Sequence, residues 1–359
     1  MNLHTLSPRS RQSGLTLVEF MVSIALGMLL VAAVATLIAN QSATRADLDK
    51  SGRMLENGRY AMRTIAEDAQ MAGYWGEIST VTPVEPLPDP CSTTVANIQS
   101  AMGVHVQGYD QSLTAFPSCI TADRLTGTDV LVIRHADPAH SDVETAGAVD
   151  FTKVKQGQVY LQTGLDSTGV QFASVMAAGS GDAATDATAF SLKKKDKTTV
   201  APLRKVLVHI YFISKCSVKV AGSCDAGDGG SPIPTLKRVE LTVSGTAVDM
   251  SDPVTLAEGI ENLQVDYGID TAGADGSPDS DVSGAALTTS AAWADVMTLK
   301  IHLLARTAEA AAGHDDSSKS YVMGTGGTFT PATAEEKKYK RHLFVQSVRL
   351  VNPVMRRAF

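Results

Sequence analysis

The chain has 359 residues, with 31 Lys and Arg against 38 Asp and Glu for a net charge of −7. Its length excludes a mini-protein and leaves room for a sizeable core in one large domain or two. The acidic balance disfavours a binder that works by neutralising nucleic-acid phosphates, so no nucleic-acid partner is indicated. Apolar residues make up 44% of the chain but aromatics only 5%, and the apolar ones are unevenly spread.

They concentrate near the start. Phe20 to Ala39 carries no charge, and the uncharged stretch continues to Thr44 before Arg45 closes it. A bilayer-spanning helix needs roughly 20 apolar residues, so this segment is long enough. Arg9 and Arg11 precede it with no acid before Glu19, and Asp47 and Asp49 follow it. The positive-inside rule then places residues 1–14 in the cytoplasm and the chain beyond about Arg45 on the far side. A removable secretory signal is the competing reading, but its apolar core typically runs only about 7–15 residues. Ala33-Val34-Ala35 also lies too deep in the run to serve as its cleavage site. Glu19 stands one residue before the apolar run, where an ionisable side chain is a functional candidate by default.

Ser13-Gly14-Leu15-Thr16-Leu17-Val18-Glu19 resembles the class III signal of type IV prepilins: a short basic leader, an obligatory Gly, a hydrophobic residue, and Glu at the fifth mature position. The resemblance implies cleavage between Gly14 and Leu15 by a prepilin peptidase, N-methylation of Leu15, and retention of the apolar helix in the mature protein. The usual first mature residue is Phe, and this chain departs from that with Leu15. In a filament core of parallel helices, the new ammonium at Leu15 of one subunit needs a partner. Glu19 of a neighbour can supply it, because buried charges are tolerable only when paired.

Beyond Arg45 the pattern stays helical, with no Pro before Pro83 and with Leu48, Leu55, Met62 and Ala69 repeating every seven residues, joined by Ile65. Gly73-Tyr74-Trp75-Gly76 should stop the helix, since Gly favours a C-terminal cap. A helix from Leu15 to Ala72 would be about 85 Å long at 1.5 Å per residue. Gly27, Gly52 and Gly58 are its expected weak points.

Leu55-Glu56-Asn57-Gly58-Arg59-Tyr60-Ala61 and the stretch from Ala66 through Asp68, Gln70 and Ala72 to Gly76 closely resemble two segments of the PilW family of minor type IV pilins. So do Leu256-Ala257-Glu258-Gly259-Ile260-Glu261-Asn262-Leu263-Gln264-Val265-Asp266-Tyr267-Gly268 and the C-terminal Val345-Gln346-Ser347-Val348-Arg349-Leu350-Val351-Asn352. Residues 77–250 match that family only loosely. The organisation this implies is a leader at 1–14, a transmembrane and filament-core helix at 15–44, an amphipathic continuation at 45–76, and a periplasmic head at 77–359.

In the head, the runs that read as strands are Asp129–His135, Gln158–Gln162, Arg204–Ser214, Leu236–Val243, Leu263–Ile269, Val296–Leu304 and Leu343–Val351. Several alternate, as antiparallel strands covered on one face do. The expected fold is α+β and pilin-like: an antiparallel sheet packed on the C-terminal half of the long helix. The tracts Ala173–Phe190, Gly222–Pro234, Asp270–Ala292 and Thr307–Pro331 read as long surface insertions. Four Cys in an exported chain imply disulfides and allow three connectivities. Local loop closure favours Cys91 with Cys119 and Cys216 with Cys224, and the absence of CxxC argues against metal or redox use.

Asp270, Asp275, Asp279 and Asp281, with Gly276 among them, form the one acidic cluster with a calcium reading. Ala272-Gly273-Ala274 stand where ligands should fall, so a solvated acidic loop is preferred and no metal is otherwise expected. The eight His are scattered and read as loop residues, the densest group being His135 to His140. The basic run Lys193 to Lys197 reads as a solvated turn. Gly324-Thr325-Gly326-Gly327 lacks the following Lys-Ser/Thr and the strand-to-helix frame of a phosphate loop. There is no HExxH, no Walker A motif and no catalytic triad, so no enzyme and no cofactor is expected.

The family resemblance implies a structural minor pilin in a priming or tip complex that starts pilus assembly and serves twitching, adhesion or DNA uptake. Its partners would be other minor pilins, the major pilin, the prepilin peptidase, the inner-membrane assembly platform and a tip adhesin. Two alternatives are a type II secretion minor pseudopilin and, in a different class, a bitopic periplasmic ligand-binding protein. The implied location is the inner membrane, with the head in the periplasm, and then the pilus tip.

Overall fold

A computed structural model of the chain describes residues 14, 16–78, 81–120, 124–139, 143–169, 171–177, 183–311 and 313–357. The chain divides into two compact units, Met1–Ser51 and Gly52–Phe359.

One helix, Leu17–Met71, runs through both the apolar and the amphipathic stretches. It begins where Thr16-Leu17-Val18-Glu19 supplies the start of a capping box: the Glu19 N–H donates to Thr16 Oγ1 at 3.3 Å. Glu19 also places a carboxylate in the first turn, the favourable end of the helix dipole. Within the first unit three hydroxyls of the uncharged run are satisfied by the helix itself. Ser23 donates to the Glu19 carbonyl at 2.7 Å, Thr36 to Ala33 at 2.8 Å and Thr44 to Asn40 at 2.9 Å. This is how a polar side chain is tolerated where no water can serve it. The large apolar side chains from Leu17 to Ile38 are exposed, and the helix contains a window long and apolar enough to cross a membrane.

In the second unit the same helix buries Met54, Gly58, Ala61, Met62, Ile65, Ala66 and Ala69, a three-and-four spacing on one face. The expected stripe is corrected at its start: Leu48 is 66% exposed, and the buried face begins at Met54. Gly58 is also corrected. A Cβ there would lie 2.2 Å from the Phe344 ring, so this glycine marks a close approach of helix to strand rather than a weak point.

Among the described residues two large antiparallel sheets, with two two-stranded ladders beside them, carry the head, where one sheet was expected. The larger has eight strands built around Leu203–Ser214. Val130–Ala136, Val159–Leu165 and Thr235–Ser244 pair with it directly, and Val106–Tyr109, Gln171–Ala177, Ala247–Met250 and Val254–Glu258 are added outside them. The smaller has four strands in the order Ser280–Ser283, Ile260–Ile269, Val296–Arg306, Arg341–Arg349. All seven expected strands are present, and the additional ones are short or rich in small residues, with no readable alternation.

The helix face joins both sheets in one core. Met62, Ile65 and Ala69 pack with Leu131, Ile133 and Tyr211 of the larger sheet and with Leu263, Val265 and Ile301 of the smaller. The opposite face of the larger sheet makes a second core under Trp75, Ile98 and Phe212. The tracts read as insertions hold more structure than expected: a strand and a short helix, Ala183–Ala189, in the first, and a two-strand ladder, Tyr321–Val322 with Thr328–Phe329, in the last.

Candidate functional site

The first candidate is the start of the long helix. Gly14 is exposed, and a Cβ added to it meets nothing within 4 Å, so its backbone stands open. Leu15 and residues 1–13 lie outside the described residues. Glu19 is exposed in the first helical turn, followed by exposed apolar side chains to Ile38. Chemically this is one carboxylate at the mouth of an uncharged apolar rod.

The second candidate is the junction formed by the four segments singled out in the sequence. Asn57 donates through Nδ2 to the Glu258 carbonyl at 3.0 Å, joining the first segment to the third. Gly58 meets Phe344, the residue immediately before the fourth. The helix ends at Gly73, whose φ of +70° is the left-handed conformation of a C-terminal cap. Its N–H donates to the Arg134 carbonyl at 2.9 Å. Trp75 is buried, and its indole N–H donates to the Met102 carbonyl at 3.0 Å. Helix geometry leaves the last carbonyls without intrahelical partners: Met71 O accepts from the Tyr74 N–H at 2.9 Å, Ala72 O from Asn352 Nδ2 of the fourth segment at 3.2 Å, and Gly73 O from Arg356 just beyond that segment. The four segments are thus one contact set, and their residue types serve packing and capping.

Beside the junction, buried charge ties loops to the smaller sheet. Arg341 grips Glu261 with two hydrogen bonds, 2.5 and 3.0 Å, and reaches Asp316 at 3.2 Å. Asp316 is fully buried and also accepts from the Tyr321 hydroxyl at 2.9 Å, so the last insertion is anchored. Asp266 accepts both the N–H and the hydroxyl of Thr325, which folds Gly324-Thr325-Gly326-Gly327 down onto the strand. A groove of about 600 Å³ opens nearby, lined by Gln111, Asn262, Arg306 and Phe329 among others.

Asp129 joins the two sheets. Its N–H donates to Leu263 O at 2.9 Å, and its carboxylate accepts from the N–H groups of Val265 at 3.0 Å and Gln111 at 2.8 Å. Burial, reinforced by the charges of Asp110 and Asp266, pushes its pKa up to about 7 against those hydrogen bonds. An acid raised in the folded state binds its proton there while the unfolded chain, near 3.9, has lost it. Stability contributed by Asp129 therefore falls as pH rises from about 4 to 7, at roughly 1.4 kcal/mol per unit. Denaturant unfolding of Asp129→Asn against wild type across that range should show this part of the slope removed; an unchanged slope would refute the assignment.

A third cluster was not foreseen. Asp68, in the last turn of the long helix, accepts from Tyr211 Oη at 2.8 Å. His135 Nε2 lies 2.8 Å from its Oδ1, and His209 Nδ1 lies 2.9 Å from its Oδ2. The two imidazole rings stand edge to face with centroids 5.8 Å apart. Burial opposes the charged carboxylate, but the hydrogen bonds from both imidazoles outweigh it and hold Asp68 well below the usual range. Burial likewise opposes the His135 cation, and Asp68 outweighs it, raising His135. The reading of these histidines as loop residues is corrected: both lie on strands of the larger sheet. The readable signal was a polar side chain inside each apolar strand run.

The remaining sequence candidates lie apart from one another. Disulfides join Cys91 to Cys119 and Cys216 to Cys224. The acids of the 270–281 loop take local partners. Asp270 accepts from the Gly276 N–H and faces Arg357, Asp275 accepts from the Ser277 N–H, and Asp279 accepts from the Thr271 and Ala272 N–H groups. Asp281 sits exposed on its strand. Among the described residues, one group of three metal-capable side chains converges, Asp68 with His135 and His209.

Two family models match the chain. Residues 210–352 match type IV pilus-assembly protein W, and residues 9–35 match the prokaryotic N-terminal methylation motif. No curated protein and no solved structure matches it. The chain is accordingly a pilin-like protein related to the type IV pilus, with a prepilin-like signal ahead of an apolar helix.

Proposed function

We propose that the chain is a structural, non-catalytic minor pilin of the type IV pilus. In this reading it is cut between Gly14 and Leu15 by the prepilin peptidase and N-methylated at Leu15. Residues 15–44 hold it in the inner membrane, and residues 77–359 form the periplasmic head. It then joins other minor pilins on the inner-membrane assembly platform in a complex that primes the filament. There it meets the major pilin, remains near the tip where an adhesin is displayed, and supports twitching, adhesion or DNA uptake.

The observation that carries this reading is the methylation motif at 9–35 leading directly into exposed apolar side chains from Leu17 to Ile38. Such a rod needs lipid or protein around it, and leaving the bilayer for an apolar filament core exchanges one apolar environment for the other with little loss of burial. The match to pilus-assembly protein W favours the pilus over the secretion pseudopilus.

Intact mass of the purified mature protein should correspond to a chain beginning at N-methylated Leu15; retention of Met1, or any other start, would refute the processing. Deleting the gene should abolish surface pili and twitching while leaving secretion of a type II substrate intact. The reverse pattern would assign the chain to the secretion pseudopilus.

A further inference from the structure

We propose that Asp68, His135 and His209 form a binding site for one divalent transition-metal ion of the zinc class. Their ligand atoms all lie within 4.8 Å of one another and come from three elements: the long helix and two paired strands. The strand register sets Ile133 opposite His209, so His135, two residues on, falls on the same sheet face as His209. Both imidazoles therefore reach the helix that packs there. A tetrahedral ion about 2.0–2.1 Å from each donor needs donors about 3.3 Å apart. The present spacings of 2.8–3.0 Å between each imidazole and the carboxylate require a few tenths of an ångström of relaxation, and the two imidazole nitrogens, within 4.8 Å of each other, must close by at most about 1.5 Å.

The surroundings are those of a metal site. His135 Nδ1 lies 2.9 Å from the Ala136 carbonyl, which fixes that nitrogen as the donor and leaves Nε2 to face an ion. Glu240 stands 3.8 Å behind the other nitrogen of His209. Tyr211 holds one carboxylate oxygen of Asp68 and leaves the other for the ion. Arg238, whose charge also reaches Asp68, pairs with Glu240 at 2.7 Å. Asp68 also lies in the last helical turn with no basic residue beside it, where the helix dipole disfavours a negative charge; a bound cation would remove that conflict. Two imidazoles, one carboxylate and a fourth position open to water suit zinc, nickel or copper(II), whereas calcium and magnesium prefer oxygen throughout. The side chain of Asp68 is 11% exposed, enough for that water to enter. None of this depends on the pilin reading.

The test uses the full chain in detergent, stripped with chelator and titrated with zinc sulfate by calorimetry. A parallel titration with cobalt(II) chloride is followed by visible absorption. Wild type should take up one equivalent with a Kd below about 10 µM and give the visible bands of four-coordinate cobalt. His209→Ala and His135→Ala should each weaken zinc binding by about 100-fold or more, while His342→Ala, at an exposed histidine elsewhere, should not. Asp68→Asn preserves the shape of the side chain, and its loss of binding with an unchanged circular dichroism spectrum separates ligation from misfolding. Failure of wild type to bind zinc tighter than about 10 µM, or binding that persists equally in Asp68→Asn and His209→Ala, overturns the site.

Discussion

Replacing Arg341 by Met should destabilise the head by about 3–5 kcal/mol, the usual cost of removing one member of a buried ion pair. The Arg341 side chain is fully buried and bound through two nitrogens to Glu261 and through a third contact to Asp316, which is equally buried. Methionine fills similar space but leaves Glu261 without its principal partner and Asp316 without one of its partners, which also include Lys319 and Tyr321. Arg306, 3.9 Å from Glu261, and Lys319, 3.0 Å from Asp316, compensate only in part. Because Asp316 anchors the 307–331 segment, protease sensitivity should rise there first. Arg341→Lys should fall between, since lysine keeps the charge but cannot reproduce the two-pronged grip. Urea unfolding of the three proteins checks the order; a methionine variant within 1 kcal/mol of wild type, on the scale expected for an exposed pair, would show that the pair is not stabilising.

Glu19→Ala should leave the protein in the membrane fraction and remove it from sheared pili. Its carboxylate lies outside the uncharged run, so insertion does not need it. Under the proposed function, the methylated ammonium of a neighbouring subunit does need it once both enter the filament core, because an unpaired charge there has no water to turn to. Glu19→Asp keeps the charge on a shorter arm and should restore part of the incorporation. Piliation and membrane content are measured on the same cells by immunoblot. Normal incorporation of the alanine variant would remove Glu19 from the assembly role.

The parts of this architecture that were readable are those in which one segment carries its own pattern. The apolar run of Lys205 to Phe212 announces a strand, although with both sheet faces covered every residue from Val208 to Ser214 is buried, and the uncharged run after Glu19 announces a span because no charge interrupts it. Asn57, Asn352 and Arg341 lay within or beside segments that attracted notice, yet their partners at Glu258, Ala72 and Glu261 could not be deduced from spacing. The Asp68 cluster is the extreme case. Its members are separated by 67 and 141 positions, and only the pairing of Val130–Ala136 with Leu203–Ser214 brings the two imidazoles to one carboxylate. Gly58 was misread for the same reason: an interior glycine weakens an isolated helix, but here a ring from Phe344 occupies the space its side chain would have taken.

The cap that Asn352 places on Ala72 spans 280 positions of sequence. Synthesis is vectorial, so the helix is made, and its apolar half is available to the membrane, long before the residue that covers its far end exists. During that interval the Ala72 carbonyl has only water, and the smaller sheet under the core face from Met54 to Ala69 lacks its last strand, Arg341–Arg349. The head is therefore complete only when its last strand and this cap have been made. A chain halted before residue 352 would lack this cap, and its frayed helix end would be open to a protease.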